Sequence, residues 1–160
     1  MSDYMPTAEV ATHVRAALKE AFPGVRFSVR SRTYSGGSSI DVRWTDGPTT
    51  NNVDDAVGKF AGSGFDGMTD MKYSLNTTIE GRRVLCDFVQ CHRDVSDEWR
   101  AELIAELERV SGHTIATDPF DYGQRVPVHV DREGETHRMV ETETEYVNTL
   151  LHRMTAQRER

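Results

Sequence analysis

The sequence predicts a small α+β domain in which antiparallel β-hairpins carry helices packed on one face. Three observations favour this class: period-two alternation on both sides of a Gly-Gly pair, amphipathic helical segments between the hairpins, and an element order without the β-α-β rhythm of a parallel sheet. The expected order of elements is α-β-β-α-β-β-α-β-β-α. We expect residues 1–93 to form an α-β-β-α-β-β unit, and residues 94–160 to form a helix-hairpin-helix extension packed on it in one compact domain.

The first predicted element is a helix. Thr7 is a capable N-cap, and apolar residues recur at helical spacing from position 10 to position 21. Pro23 and Gly24 follow directly and end the helix, because proline cannot continue it and glycine favours other backbone conformations.

Residues 25–45 predict a hairpin. Apolar residues at positions 25, 27 and 29 alternate with polar ones, and residues 40–44 repeat this alternation, which is typical of half-buried strands. Gly36 and Gly37 lie between the two runs and permit the positive φ of a tight turn. One face of the hairpin is therefore apolar and assigned to the core, and the other is rich in arginine.

The middle of the chain predicts a short helix and a second hairpin. Asn51 or Asn52 can cap a helix that reaches position 60, and a glycine-rich stretch ends it. The second hairpin is expected over residues 72–92, with its turn at residues 80–81.

The last third predicts a helix, a third hairpin and a final helix. Ser96 begins an amphipathic helix that Gly112 ends, and a hairpin with its turn at residues 133–134 is expected after it. Thr142 and Glu145 have the spacing of a capping box, which predicts a C-terminal helix from that point.

The composition favours a soluble, cytosolic protein. Of the 160 residues, 37% are apolar, which is enough for a core, and no apolar run approaches the roughly 18 residues of a membrane span. The first ten residues lack a basic stretch followed by an apolar one, so we expect no secretory leader. Two cysteines are few for a small secreted fold and are expected to be thiols.

The formal charge of −7 argues against a protein that coats nucleic acid along its whole surface. The charge is uneven, because residues 1–45 hold six Arg or Lys against four acids. An anionic partner is therefore expected to meet the N-terminal part first.

Three segments together resemble a known family. They are FPGVRFSVRSRTYSGGSSIDVRWTDGPT from position 22, FAGSGFDGMTD from position 60, and DFV from position 87. They resemble the large polyvalent protein-associated domain, twenty-ninth class, of phages and conjugative elements, over roughly residues 8–93. The hairpin with its Ser-Gly-Gly sequence is the most specific of the three.

The resemblance implies a protein that travels with invading DNA and blunts host defences or prepares the host cell, in the bacterial cytosol. The family has no assigned catalytic residues that could be transferred to positions here. The chain has no nuclease, protease or methyltransferase motif beside the domain, so it is interpreted as a stand-alone copy.

The arginine-rich face of the first hairpin is the candidate binding site. Arginines in a row on a sheet can clamp phosphates or carboxylates with bidentate geometry. The alternative interpretation is a solvated strand face balanced by Asp41. The candidate residues are Arg26, Arg30, Arg32, Tyr34, Gly36, Gly37 and Arg43. The expected partner is a host protein, with nucleic acid as the second choice, and no cofactor, metal or membrane partner is expected.

The cysteines do not predict a metal site. Cys86 and Cys91 are an odd number of residues apart, so on one strand they face opposite sides and cannot share an ion with His92. A buried Cys86 and a half-exposed Cys91 are expected.

Two sets of acidic residues or histidines are candidates for catalysis. Asp66, Asp70 and Asp87 could gather Mg²⁺, but their segment lacks a His or Lys partner, and capping of the loop by Asp side chains is the preferred interpretation. A turn at residues 133–134 would place His129 opposite Arg138 and point His137 elsewhere, which favours surface histidines. The carboxylate of Asp131 belongs to the same weak set.

Three functional hypotheses follow. The preferred one is a non-catalytic phage or mobile-element accessory protein that binds a host macromolecule through the polar face and Gly-Gly tip of the hairpin. The second is an enzyme acting on nucleic acid or a nucleotide, with Asp66, Asp70 or His129 in its active site. The third is a structural or oligomeric component that uses the apolar stripe of the last helix.

Overall fold

A computed structural model describes residues 3–115, 125–129, 142–146 and 150, and the chain divides into an N-terminal unit, Met1–Asp94, and a C-terminal unit, Val95–Arg160. The α+β class is confirmed, because helices and mostly antiparallel strands alternate irregularly along the chain. The expectation that the C-terminal part packs on the N-terminal part in one compact domain stays a prediction.

The N-terminal unit contains two α-helices and eight strands within its described residues. In chain order they are β1 (Tyr4–Met5), α1 (Thr7–Ala21), β2 (Ser28–Tyr34), β3 (Gly37–Thr45), α2 (Thr50–Val57), β4 (Ser63–Asp66), β5 (Met71–Ser74), β6 (Thr78–Ile79), β7 (Arg82–Val84) and β8 (Phe88–Asp94). A single 3₁₀ turn, Gly58–Phe60, follows α2.

The main sheet of this unit has the strand order β2-β3-β8. Strands β2 and β3 form the predicted antiparallel hairpin, in which Val29 lies opposite Val42. Strand β8 pairs with β3 in the parallel direction, with Val42 beside Cys91. Parallel neighbours need a crossover connection, and here it contains α2 and two short hairpins.

The core of the unit lies between this sheet and the two helices. Helix α1 packs against β2 and β3, and α2 packs against β8. The apolar face of the hairpin enters this core as predicted, with Ile40, Val42 and Trp44 buried. The other buried apolar residues of this cluster are Met5, Val10, Ala11, Val14, Leu18, Val53, Val57, Val84 and Cys86.

The predicted second hairpin is correct at its turn and wrong beyond it. Strands β6 and β7 pair around Glu80 and Gly81, which both have positive φ. However, β5 pairs with β4, and β8 leaves this region to join β3. Val89 and Cys91 of β8 are partly buried against the helices because β8 lies beside β3. A hairpin with residues 72–79 would not bury them in this way.

The C-terminal unit begins with α3 (Asp97–Ser111), as predicted. The Ser96 hydroxyl caps it by accepting a hydrogen bond from the Trp99 N–H at 3.2 Å, and Gly112 ends it in the left-handed conformation with φ 70°. Its buried stripe contains Trp99, Leu103, Ile104 and Leu107, and Ile115 and Leu150 join that cluster.

The predicted C-terminal helix is wrong for residues 142–146, which form a strand. Strand β10 (Thr142–Tyr146) pairs antiparallel with β9 (Arg125–His129), and Thr142 lies opposite His129. The segment T-E-T-E-Y alternates with period two and has β-branched threonines, which favours a strand over the helix indicated by its capping box. His129 therefore does not lie opposite Arg138, and the predicted turn at 133–134, with Asp131 and His137, lies outside the described residues.

Candidate binding face

The sheet β2-β3-β8 has one face under the helices and one face on which neither helix of the N-terminal unit packs. We call the second surface the open face. Alternation along each strand and the pairing register assign to it Ser28, Arg30, Arg32, Tyr34, Ser39, Asp41, Arg43, Thr45, Phe88, Gln90, His92 and Asp94. Most of these side chains are exposed.

The structure places three of the four predicted arginines on this face and the fourth at its end. Arg30 and Arg43 are exposed, and Arg26 lies just before β2 and is exposed as well. Arg32 lies near the tip, where its Nε is 3.3 Å from Asp41 Oδ2. Because this pair is largely exposed on the arginine side, it contributes little to stability, but it neutralises one charge of the row.

An open cleft of about 530 Å³ lies at the end of the open face farthest from the hairpin tip. Arg26 and Arg43, which carry guanidinium groups, and Ser28 and Thr45, which carry hydroxyls, are among the residues that line it. The remaining lining comes from the aromatic residues Phe27 and Trp44, whose ring centroids are 5.5 Å apart, and from Asp94. Two cations and two hydroxyls facing one cleft can bind an anionic group.

The two glycines of the hairpin tip have different structural roles. Gly36 is the second residue of a two-residue loop and has φ 111°, which side-chain-bearing residues rarely adopt. Gly37 already belongs to β3 and lies opposite Tyr34. A Cβ at Gly37 would come within 2.6 Å of Asp87 Oδ2 and 3.2 Å of the Tyr34 ring. Only glycine at position 37 therefore leaves room for the Asp87 carboxylate and the Tyr34 ring to lie this close to the backbone of β3.

The Asp87 carboxylate connects the hairpin tip to strands β4 and β5 through hydrogen bonds and an ion pair. Its Oδ2 accepts a hydrogen bond from the Ser38 N–H at 3.0 Å, and its Oδ1 accepts one from the Ser63 hydroxyl at 2.8 Å. Lys72 Nζ lies 3.1 Å from the same Oδ1 and donates to the Gly36 carbonyl at 3.5 Å. We call Ser38, Ser63, Lys72 and Asp87 the Asp87 cluster.

The protonation of Asp87 follows from these contacts. Burial alone raises the pKa of the carboxyl, but the hydrogen bonds from Ser63, Lys72 and Ser38 favour the charged form and more than offset it. The pKa of Asp87 therefore lies below its usual value, and the group is an acceptor at neutral pH. This arrangement suits a structural anchor, because both carboxylate oxygens already have donors.

The three segments that carry the resemblance meet at this cluster. Gly37 and Ser38 come from the hairpin, Ser63 from the glycine-rich segment after position 60, and Asp87 from the DFV segment. The fold and the cluster define an α+β domain whose hairpin tip is held by a partly buried ionic and hydrogen-bonded contact.

The chain belongs to the family described as large polyvalent protein associated domain 29, whose model matches residues 5–96, more than half of the chain. The expected family is thus confirmed. No curated protein and no solved structure matches the sequence.

The acidic residues and cysteines of the described part do not gather into a metal site. Within residues 3–115 and the described strands after them, no group of three His, Cys, Asp or Glu could hold an ion. The Asp66 carboxylate instead caps its own turn, since it accepts hydrogen bonds from the Met68 N–H and the Thr69 hydroxyl, both at 2.9 Å. For Asp66 this confirms the interpretation of loop capping, whereas Asp87 binds the hairpin tip and β4 instead.

The cysteines have the expected placement. Both are free thiols, with Cys86 buried and Cys91 half-buried. Burial raises the pKa of Cys86 to about 12 and also raises the pKa of Cys91, so neither is a thiolate at neutral pH. None of the helices in the described part of the chain has the length and apolar character that crossing a membrane requires.

Sequence reasoning missed most of the Asp87 cluster. Asp87 was considered as a metal ligand with no Lys partner nearby, whereas Lys72 lies against it in the structure. Ser38 and Ser63 lie inside the segments that carry the resemblance, which was a usable signal. Lys72 lies outside these segments. Its separation of 15 residues from Asp87 in the sequence does not predict a contact between them, because the strands in between are short and irregular.

Proposed function

We propose that this chain is a non-catalytic accessory protein of a phage or mobile element, which binds a macromolecule of the host bacterium through the open face. Such binding would serve counter-defence or preparation of the host cell, in the host cytosol. Membership of a family associated with large polyvalent proteins supports the setting.

The observation that carries the proposal is the row of exposed arginines on the open face. Arg30 and Arg43 project from neighbouring strands of a sheet whose other face is fixed to two helices. Such a sheet fixes the backbone positions of both arginines before a partner arrives, so no backbone ordering is needed on binding. Arginine also binds carboxylates and phosphates with two parallel hydrogen bonds.

The chemistry of the reactive groups supports binding over catalysis. The Asp87 carboxylate has donors on both oxygens, and the Asp66 carboxylate is engaged by its own turn. The thiols of Cys86 and Cys91 have raised pKa values, which lowers their nucleophilicity at neutral pH.

Capture from a lysate of the natural host tests this proposal. The double variant Arg30→Glu/Arg43→Glu should lose the macromolecules that the wild-type chain retains. The matched control Lys19→Glu/Lys59→Glu changes the net charge equally with two exposed lysines away from the open face, and it should retain them. Equal capture by both variants would contradict the proposal.

A further inference from the structure

Four of the basic residues of the N-terminal unit share one surface. Residues 1–94 contain eleven Lys or Arg and twelve Asp or Glu, so this part of the chain is nearly neutral in total. Four of the eleven, Arg26, Arg30, Arg32 and Arg43, lie on the open face or at its end. The open face opposes them with Asp41 and Asp94, so its local charge is positive although the whole chain carries −7.

The cleft at one end of this face has the groups that a phosphate requires. Arg26 and Arg43 offer planar guanidinium donors, and Ser28 and Thr45 offer hydroxyl donors. Its volume of about 530 Å³ exceeds that of a phosphate alone and falls within the range of small-ligand sites. The cleft is therefore larger than a phosphate, and its lining carries two cations against the single carboxylate of Asp94.

The opposite end of the face presents aromatic rings. Tyr34 is 52% exposed, and Phe88 lies half-buried on the same face beside Ser39. Strand β2 separates Tyr34 from Ser28 by six residues, or about 20 Å. The face thus combines cations at one end with rings at the other, over a length suited to a few nucleotides.

The combination of arginines and an exposed aromatic ring on one face favours one class of anionic partner over the others. A flat sheet face does not enter the major groove of a duplex as a helix or a two-stranded ribbon does. An acidic protein surface would contact the arginines but would leave Tyr34 without a planar group to stack on. A single strand offers both phosphates and unpaired bases, and bases stack on aromatic side chains whatever their sequence.

We infer that the open face binds single-stranded nucleic acid, with a phosphate between Arg26 and Arg43 and a base stacked on Tyr34. The inference rests on the proposed function and names the partner of that same surface.

Fluorescence anisotropy with a labelled 12-nucleotide oligo-dT, an oligo-U of the same length and a matched duplex tests the inference. The full chain should bind both single strands more tightly than the duplex. In Arg26→Gln/Arg43→Gln the affinity should fall about ten-fold or more. Because the two arginines neutralise one phosphate together, the slope of log K against log salt should become shallower by about 0.7. The control Lys19→Gln/Lys59→Gln should keep the wild-type slope.

The stacking contact has its own matched pair of variants. Tyr34→Ala should weaken oligonucleotide binding by about five- to one-hundred-fold. Tyr73→Ala removes a ring that is also 52% exposed but lies on β5, outside the open face, and it should leave binding unchanged. Equal effects of the two variants, or duplex binding as tight as single-strand binding, would overturn the inference. Far-ultraviolet circular dichroism confirms that each variant is folded.

A parallel capture experiment separates this inference from the proposed function. If no oligonucleotide binds, while a nuclease-treated host lysate still yields a protein whose capture needs Arg30 and Arg43, the inference is wrong and the proposed function stands. If neither oligonucleotide nor lysate component binds in an arginine-dependent manner, both are wrong.

Discussion

Two sets of charged side chains, one packed against the tip of the first hairpin and one on its open face, differ in what they contact. In the Asp87 cluster, the carboxylate has hydrogen bonds from Ser38 and Ser63 and an ion pair with Lys72. On the open face, Arg30 and Arg43 are exposed on neighbouring strands, and Arg32 is the arginine with an ion pair to Asp41. The first set is engaged within the protein, and the second is directed to solvent.

This difference separates the residues that position the hairpin tip from those proposed to bind, although both sets lie in the segments that carry the resemblance. Gly37, Ser38, Ser63 and Asp87 each help to position the tip. The candidates for partner binding are therefore the side chains of the open face, which these contacts do not involve.

The largest expected effect is the loss of the anchor. Asp87→Ala should reduce the free energy of unfolding by about 2–3 kcal/mol, because the partly buried Ser38 N–H and Ser63 hydroxyl lose their acceptor and Lys72 its counter-ion. Urea denaturation measures the change. The matched control Asp66→Ala removes a carboxylate that caps an exposed turn and should cost clearly less than Asp87→Ala. Equal costs would show that Asp87 is not an anchor.

The next effect concerns the two glycines at the tip. Gly37→Ala should cost about 1–3 kcal/mol because its Cβ would press on Asp87 Oδ2, and Gly36→Ala should cost about 1 kcal/mol because of its positive φ. A double-mutant cycle distinguishes the two causes. In the Asp87→Ala background the cost of Gly37→Ala should shrink, whereas the cost of Gly36→Ala should not change. A cost at Gly37 that is independent of residue 87 would refute the close-approach argument.

A smaller effect is the pH dependence of the anchor. Because the folded pKa of Asp87 lies below the usual value of an aspartate, its charged form stabilises the fold. This contribution is fully present above the unfolded pKa and is lost as the pH falls through the lower folded pKa. The difference in unfolding free energy between wild type and Asp87→Asn should therefore be constant from pH 7 to about 5 and decrease below about 4. A difference that grows on acidification would mean that the pKa is raised.

Local patterns predicted those elements whose signal lies in contiguous residues. The hairpin of β2 and β3 has its alternation, its glycines and its turn within 21 residues, and α3 has a cap, a stripe and a terminating glycine in one run. The face assigned to the core was correct because alternation alone determines which side chains of a strand share a face.

The remaining elements depend on contacts between distant segments. The alternating Val89 and Cys91 fit an antiparallel hairpin as well as the parallel place beside β3, and burial against the helices decides between them. The segment with Thr142 and Glu145 has both the spacing of a capping box, which predicts a helix, and period-two alternation, which predicts a strand. Local sequence alone does not decide between the two. The contact of Lys72 with Asp87 arises from the crossover itself and has no local sequence pattern.

The smallest expected effect on stability belongs to the open face. Arg30→Ala and Arg43→Ala should each change the unfolding free energy by no more than about 0.5 kcal/mol, because both side chains are exposed and the apolar core lies on the opposite face of the sheet. Urea denaturation under the conditions used for Asp87→Ala makes the values comparable. A loss above about 1.5 kcal/mol at either position would place that arginine among the residues that hold the fold. It would then remove that position from the binding surface, since any loss of partner capture in its variant would follow from a damaged sheet.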